Sequence, residues 1–393
     1  MTNYIILALC LLVLLAYLFD FTSKYTRIPG VILLIGLGII IQVLVSATGF
    51  KIPDLEPLLP VIGTLGLILI VMEASLDLKI SKKKFGLIVK SASAAFVPFV
   101  FFVAIMAFIL SEVLGFGLAE SLLNSIPFGI ISSAVAISSA NNLNNYQKEF
   151  VIYESSLSDI IGIIVFDFIL IYGNSIGHGL ITFTFKGMLT IPLAVLIASG
   201  LALLLHKITY HINYIIILTS VVLVYVLAKL IHLPALLLVL AFGMVLANYN
   251  LAENSIITRF VNFNKFRDDL NSFKKIVTEL TFVVRSFFFV MFGYYSKIND
   301  LFDLQNVVIA LAIIAGIYIL RIIFLIRFIK IPVFPYLFFS PRGLITILLF
   351  LSIPAASRVS LINEGVITLV ILITILLMML GNIFSNKENI PDE

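Results

Sequence analysis

The sequence predicts an all-α integral membrane protein with about 13 transmembrane helices, each of about 20 residues. Hydrophobic residues make up 61% of the 393 residues and charged residues 12%, whereas soluble domains have about 45–50% and about 25%. Long unbroken apolar runs favour a helical bundle over a β-barrel, whose strands alternate in polarity. This composition excludes a soluble enzyme and leaves no room for a soluble domain.

The apolar runs define the candidate membrane spans. In chain order they cover residues 4–19, 29–47, 58–76, 85–113, 127–141, 150–173, 183–206, 212–232, 234–249, 277–295, 304–330, 336–354 and 364–385. The first run has no basic segment before it and no small-residue cleavage site after it, so we expect a retained span. It contains the single cysteine, Cys10, which excludes a disulfide or a CxxC metal site.

Loop charge predicts the orientation of the chain. With the N-terminus outside and the C-terminus in the cytoplasm, sixteen of the 25 basic residues face the cytoplasm and five face outward, as expected when Lys and Arg are retained inside. The longest loop, about residues 250–276, alternates basic residues with Phe and predicts an amphipathic cytoplasmic linker. The basic residues form no single patch, so we expect no nucleic-acid partner.

Span counting predicts two inverted repeats. Residues 1–206 would hold the first repeat plus a linking helix (spans 1–7), and residues 207–393 the second repeat (spans 8–13). In the fifth span, Ser132 and Ser133 lie among other small residues, and residues 340–343 interrupt the twelfth span with Ser-Pro-Arg-Gly. Paired interruptions predict an ion site at the midplane. For the serines alone, a small-residue packing seam is an equally good interpretation.

The sixth span carries the densest group of ionisable and hydroxyl side chains. Residues four apart share a helix face, so Ser155 lies under Asp159 and Glu154 under Ser158. The first pair offers a hydroxyl and a carboxylate to a cation, and Glu154 could be neutralised by an arginine. A carboxylate removed from water binds a proton more readily, so protons compete with the cation for the same oxygens. This competition is the chemistry of exchange.

The remaining buried charges each require a partner or a function, because a charge at the bilayer centre costs at least about 2.5–3.5 kcal/mol. We expect Arg285 to pair with Glu154 or Glu73, and Arg342 to offset the unwound helix ends at the twelfth span. Glu73, within the third span, could also titrate as a second carrier. We expect Arg321 to reach the inner surface by snorkelling, without a functional role.

Several of these segments, in this order, resemble the monovalent cation:proton antiporters, and within them the NhaP and sodium/proton exchanger branch. Residues 70–78, with Glu73, are similar to the family's F-E-x-G-L-x-L segment, and residues 154–159 to its E-x-L-L-N-D helix. Residues 26–30 are similar to its second-span opening, residues 285–293 to its FFV-x-x-G span and residues 341–344 to its G-L-R-G span.

The resemblance covers nearly the whole chain and implies an inverted-repeat antiporter fold with two broken crossing helices. It implies a homodimer in the cell membrane, with a dimerisation domain and a core domain that moves by an elevator-like step. Asp159 would bind Na⁺ or K⁺ and H⁺ in turn, Ser155 would add an oxygen ligand, and Glu154 would pair with Arg285. No cofactor and no enzymatic activity are expected.

The sequence departs from the family at two places. The T-D-P motif of the fifth span is Ser132-Ser133-Ala134 here, which removes a carboxylate, and the Asn of N-D is Ser158. Hydroxyls remain at these positions and can ligate Na⁺ or K⁺, so antiport stays the leading hypothesis. The alternative is a gated K⁺ efflux channel-like protein, which would need a separate regulatory subunit.

Overall fold

The computed structural model describes residues 2–26, 28–48, 55–77, 84–140, 143–173, 176–207, 213–231, 233–248, 263–329 and 332–384. Within these ranges the chain forms fifteen α-helices and no strand. In the first part of the chain they are α1 (Thr2–Thr26), α2 (Gly30–Thr48), α3 (Leu59–Asp77), α4 (Phe85–Phe108), α5 (Leu118–Gly129), α6 (Ser133–Ser139), α7 (Asn145–Tyr172) and α8 (Ile176–Lys207). They continue as α9 (Asn213–Leu230), α10 (Ala235–Ala247), α11 (Phe263–Tyr295), α12 (Ile298–Phe302), α13 (Leu304–Phe324), α14 (Leu344–Ser352) and α15 (Glu364–Phe384).

The predicted all-helical membrane fold is confirmed. Among the described residues, nine helical segments are long and apolar enough to cross a membrane, and three shorter apolar helices accompany them. Apolar runs of this length become helices because a helix satisfies its own backbone hydrogen bonds where no water is available. The exact number of crossings stays a prediction.

The interruptions predicted in the fifth and twelfth spans are present, but the segments around them differ from the expected boundaries. Residues 130–132 separate α5 from α6, and α5 begins at Leu118 rather than near residue 127. In the later segment, residues 339–343 are not helical and only Leu344–Ser352 forms α14.

The start of α5 was missed because this half of the helix is polar in sequence yet buried in the fold. Asn124 is fully buried, and its carboxamide donates to the Ser357 carbonyl at 2.8 Å and accepts from the Val359 amide at 3.3 Å. The polar side chain therefore binds a loop that follows α14, which a hydropathy reading cannot detect.

The predicted amphipathic linker of residues 250–276 lies partly outside the described residues. Its described part, from Phe263 onward, is the first portion of α11 and runs without interruption into the tenth predicted span. Leu270 and Phe273 are buried, and the Tyr214 hydroxyl of α9 donates to Asp269 at 3.2 Å. This portion of α11 therefore packs on helix rather than forming a separate segment.

The described chain divides into two compact units. The first comprises Met1–Gly63, Gly86–Gly162 and Val283–Glu393, and the second comprises Thr64–Phe85 and Ile163–Phe282. Each unit draws on both halves of the sequence. The division into repeats at residues 206 and 207 stays a prediction, because one compact unit can take helices from both repeats.

Glycines allow close helix packing within each unit. In the first unit, a Cβ on Gly38 of α2 would overlap the Val290 carbonyl of α11, and a Cβ on Gly293 would overlap the Ile35 carbonyl. In the second unit, a Cβ on Gly243 of α10 would overlap the Ser75 hydroxyl of α3. These contacts bring helix backbones together as small residues do in membrane bundles.

Candidate ion-binding site

The first unit brings the two broken segments together. The Ser132 amide donates to the Pro341 carbonyl at 2.9 Å, so one break supplies a backbone partner for the other. Gly343 is required at this crossing because a Cβ there would stand 2.5 Å from the Ser132 hydroxyl oxygen. The crossing therefore depends on unwound backbone and on the absence of a side chain at residue 343.

Asp159 of α7 lies beside this crossing and is only 2% exposed. Its Oδ2 accepts a hydrogen bond from the Ser133 amide, at the start of α6, over 3.3 Å. Its Oδ1 is buried and has no hydrogen-bond partner among the residues that the structure describes. Buried polar atoms are normally paired, so this oxygen is the strongest structural indication of a ligand at Asp159.

The hydroxyls predicted around Asp159 have different contacts. Ser155, one turn before Asp159, donates to the Val151 carbonyl at 2.7 Å, which leaves its oxygen lone pairs available to a cation. Ser158 accepts from the Ile131 amide at 2.9 Å and so holds the unwound segment. The structure thus gives Ser158 a positioning contact, and its contact with the ion stays a prediction.

Two features of α7 position the face that carries Ser155 and Asp159 against the crossing. A reciprocal capping box starts the helix: the Gln147 amide donates to Asn144 Oδ1 at 2.8 Å, and the Asn144 amide donates to Gln147 Oε1 at 3.3 Å. Further along, Gly162 leaves space for the Ile130 side chain, which would overlap a Cβ at residue 162. The helix can therefore pack tightly on the residues that precede Ser132.

Glu154 pairs with Arg321, and the predicted pair between Glu154 and Arg285 is wrong. Arg321 Nη1 lies 2.7 Å from Glu154 Oε1 and Nη2 lies 2.9 Å from Oε2, so one guanidinium occupies both carboxylate oxygens. The Glu154 and Arg321 side chains are 1% and 4% exposed. Arg285 lies on α11 in the same unit and is half-buried.

The expectation that Arg321 snorkels to the surface is also wrong. Arg321 Nε and Nη2 donate to the Tyr336 carbonyl at 3.0 and 2.7 Å, within the turn that follows α13. This turn folds back over the guanidinium, and Tyr336 packs with Phe150 at a ring-centroid distance of 4.9 Å. The position of Arg321 within its predicted span could not reveal that its side chain is buried, because the turn that covers it comes later in the chain.

Arg342 is buried in the second broken segment and binds backbone oxygens. Its Nε donates to the Phe128 carbonyl at 2.6 Å and its Nη1 to the Ser340 carbonyl at 2.7 Å. Phe128 belongs to the last turn of α5, whose terminal carbonyls carry partial negative charge. The Arg342 amide donates to Thr374 Oγ1 of α15 at 3.0 Å, a contact that the sequence did not indicate.

Glu73 lies on α3, in the second unit, and is half-buried. Its participation at the ion site is a prediction from the sequence. Of the other predicted ligands, Ser132 and Ser133 both lie at the crossing, and Ser133 contacts Asp159 directly. The first unit therefore assembles Asp159, Ser133 and the two unwound segments at one place.

A helical membrane bundle with two crossed broken segments and a buried carboxylate beside them has the architecture of an ion-coupled transporter. The chain belongs to the sodium/hydrogen exchanger family: the model "Sodium/hydrogen exchanger, transmembrane" matches residues 10–385. This membership supports cation:proton antiport rather than enzymatic catalysis.

Two solved structures have a similar fold. The structure of the sodium proton antiporter MjNhaP1 from Methanocaldococcus jannaschii at pH 8 superposes with a TM-score of 0.71 at 20% sequence identity, covering 96% of this chain and 97% of that chain. An electron-microscopy map of the same antiporter gives a TM-score of 0.69 at 19% identity and covers both chains completely. No curated protein sequence matches the chain in direct comparison.

Proposed function

We propose that this protein exchanges Na⁺ or K⁺ for protons across the cell membrane, with Asp159 as the carrier of either ion. One observation carries the proposal: Asp159 is buried beside the crossing with Oδ2 held by the Ser133 amide, while Oδ1 has no hydrogen-bond partner in the described part of the chain. A proton or a cation on the carboxylate would satisfy this oxygen. The family model and the similarity to a sodium proton antiporter support the same function.

The cation would be bound by oxygens alone. Alkali cations, like other hard cations, favour carboxylate, hydroxyl and carbonyl ligands. Asp159 and Ser155 lie on one face of α7, and Ser132 and Ser133 contribute hydroxyls and unwound backbone from the crossing. Serines in place of the family's T-D-P carboxylate lower the negative charge of the site, and their hydroxyls can ligate either Na⁺ or K⁺.

We propose that exchange is one-for-one and electroneutral. Within the first unit, Glu154 is committed to Arg321, and Arg342 to the carbonyls of the broken segments. Among the buried carboxylates of the described residues, Asp159 is therefore the one left to change its occupancy, and it can carry one cation or one proton but not both. If Glu73 of α3 also titrates during transport, two carboxylates change occupancy instead of one.

The transport cycle we propose is elevator-type alternating access in a homodimer. It rests on the resemblance to the NhaP branch and on the prediction of inverted repeats, residues 1–206 and 207–393. The N-terminus would face outward and the C-terminus the cytoplasm, as the loop charges predict. Membrane lipid, Na⁺ or K⁺, and H⁺ are the partners that this cycle requires.

The test is a flux assay on purified protein in liposomes with an imposed pH gradient, in Na⁺, K⁺ and Li⁺ in turn. Asp159→Asn keeps the shape of the side chain but cannot alternate between charge states, so exchange should be abolished while the protein still folds. The matched control is Asp268→Asn, the same substitution at an exposed position on α11, which should leave exchange unchanged.

Two outcomes would contradict the proposal. Exchange that persists in folded Asp159→Asn would remove Asp159 as the carrier. Rapid K⁺ flux in the unsubstituted protein, without proton movement in the opposite direction, would favour the alternative of a K⁺ efflux channel-like protein.

A further inference from the structure

A cavity of about 650 Å³ lies away from Asp159, at one end of the first unit. Its lining combines apolar side chains, Val43, Ala47 and Ile298, with polar ones: Gln42 and Ser46 near the end of α2, and Lys297, Asn299 and Asp300 in the segment after α11. This volume is in the range of small-molecule sites, about 300–1,000 Å³. The cavity can therefore accommodate a ligand larger than water or a single ion.

The cavity lies at the level where membrane spans end. The helix α2 ends at Thr48, α11 ends at Tyr295 and α13 begins at Leu304, so the cavity is at the boundary between apolar spans and polar connections. Val43, which lines the cavity, is 49% exposed, and Ile40 and Leu44 on the same helix are each 57% exposed. A cavity with charged and neutral polar groups next to exposed apolar side chains fits a molecule with a polar head and an apolar tail.

The lining offers both signs of charge. Lys297 is exposed, and its ammonium is a compact donor that suits a phosphate. Asp300, three residues later and half-buried, offers a carboxylate that suits a primary ammonium with N–H donors. Asn299, Gln42 and Ser46 supply neutral donors and acceptors beside these charges.

We infer that this cavity binds the phosphoethanolamine headgroup of a membrane lipid. Its phosphate would lie at Lys297 and its ammonium at Asp300, with the acyl chains along the exposed apolar side chains of α2. A choline headgroup carries three methyl groups in place of the N–H donors, and a glycerol headgroup has no cation. Both would leave the Asp300 carboxylate without a charge-assisted hydrogen bond. The inference is independent of the transported ion and of Asp159.

The direct test uses the N-methyl series of one lipid: phosphatidylethanolamine, its mono- and dimethyl derivatives, and phosphatidylcholine with the same acyl chains. The unsubstituted protein is mixed with each lipid in detergent micelles, and bound lipid is measured by native mass spectrometry. Affinity should fall as N–H donors are lost, by about tenfold between the two ends of the series, the effect of about 1.4 kcal/mol. Equal binding across the series would overturn the inference.

Substitutions locate the site. Lys297→Gln should weaken binding of all four lipids, because the phosphate is common to them, whereas Asp300→Asn should weaken phosphatidylethanolamine and remove the discrimination. Lys90→Gln, which removes an exposed basic side chain of α4 outside the cavity, is the matched control and should bind as the unsubstituted protein does. Discrimination that survives in Asp300→Asn would overturn the assignment to this cavity.

A competition experiment distinguishes a lipid site from a site for the free headgroup. Soluble phosphoethanolamine at millimolar concentration should compete weakly with the lipid, because it lacks the apolar contacts. If the soluble compound displaces the lipid with equal affinity, the acyl chains contribute nothing and the cavity is not a lipid site.

Discussion

Arg321 and Glu154 form a bidentate pair in which Nη1 lies 2.7 Å from Oε1 and Nη2 lies 2.9 Å from Oε2, both in the protein interior. The same guanidinium binds the Tyr336 carbonyl. The pair therefore connects α7, which carries Asp159, to the turn before the second broken segment. Its two charges neutralise each other and leave Asp159 outside the pairing.

Removing one partner of this pair should destabilise the protein. Glu154→Gln or Arg321→Gln leaves one buried charge without its counter-ion, and breaking such a pair costs about 3–5 kcal/mol. Thermal unfolding in detergent should show a lower midpoint for each variant, and the double variant should lose less than the sum of the two. Arg285→Gln is the control, because Arg285 does not pair with Glu154. A larger loss in Arg285→Gln than in Arg321→Gln would contradict the pairing.

The crossing of α2 and α11 should not tolerate a side chain at Gly38. A Cβ there would meet the Val290 carbonyl and stand 2.8 Å from the Tyr294 amide nitrogen, so Gly38→Ala should separate the helices and destabilise the fold. Overpacking of this kind costs about 1–3 kcal/mol. On the same helix, a Cβ on Gly36 meets nothing within 4 Å. Gly36→Ala should therefore be neutral or stabilising, and equal unfolding midpoints for the two variants would refute the close approach.

Ser158 should act through the backbone at the crossing. Ser158→Ala leaves the buried Ile131 amide without its acceptor, and an unpaired buried donor costs about 1–3 kcal/mol. Amide hydrogen exchange should increase at residues 130–132 in this variant. Ser138→Ala, at an exposed serine whose hydroxyl donates to the Ala134 carbonyl of its own helix, should leave exchange at these residues unchanged. Unchanged protection in Ser158→Ala would show that the Ser158 contact is dispensable.

The predicted orientation can be read from two exposed lysines. After Cys10 is replaced, a cysteine at Lys297 should react with a membrane-impermeant reagent from outside intact cells, and a cysteine at Lys275 should not. The reason is the charge bias of the loops, which places Lys275 on the cytoplasmic side. The reverse labelling pattern would show that the predicted orientation is wrong.

The features that could be predicted from the sequence are those that short stretches of sequence specify by themselves. Asp159 could be proposed as an ion site because a carboxylate inside an apolar run is costly, and the interruption at residues 340–343 could be predicted because Ser-Pro-Arg-Gly cannot continue a membrane helix without a partner. Both features depend on residues close in sequence. The fold class could be predicted for the same reason, from the length of the apolar runs.

The features that the sequence did not reveal depend on residues distant along the chain. Arg321 is buried by a turn that reaches Tyr336, and Asn124 is buried because it binds the loop at Ser357. In each case a polar side chain finds its partner in a later segment. Hydropathy treats such a side chain as a surface residue, because it contains no information about that partner.

The most direct test of the account is the dependence of exchange on membrane potential. Purified protein in liposomes is given a fixed cation gradient and pH gradient, and the exchange rate is measured at zero potential and at an inside-negative potential set by an ion that the protein does not carry. With Asp159 alone changing occupancy, one cation replaces one proton, and the two rates should be equal. A rate that changes clearly with the potential, and loses that dependence in Glu73→Gln, would show that a second carboxylate cycles and that electroneutral exchange on Asp159 is wrong.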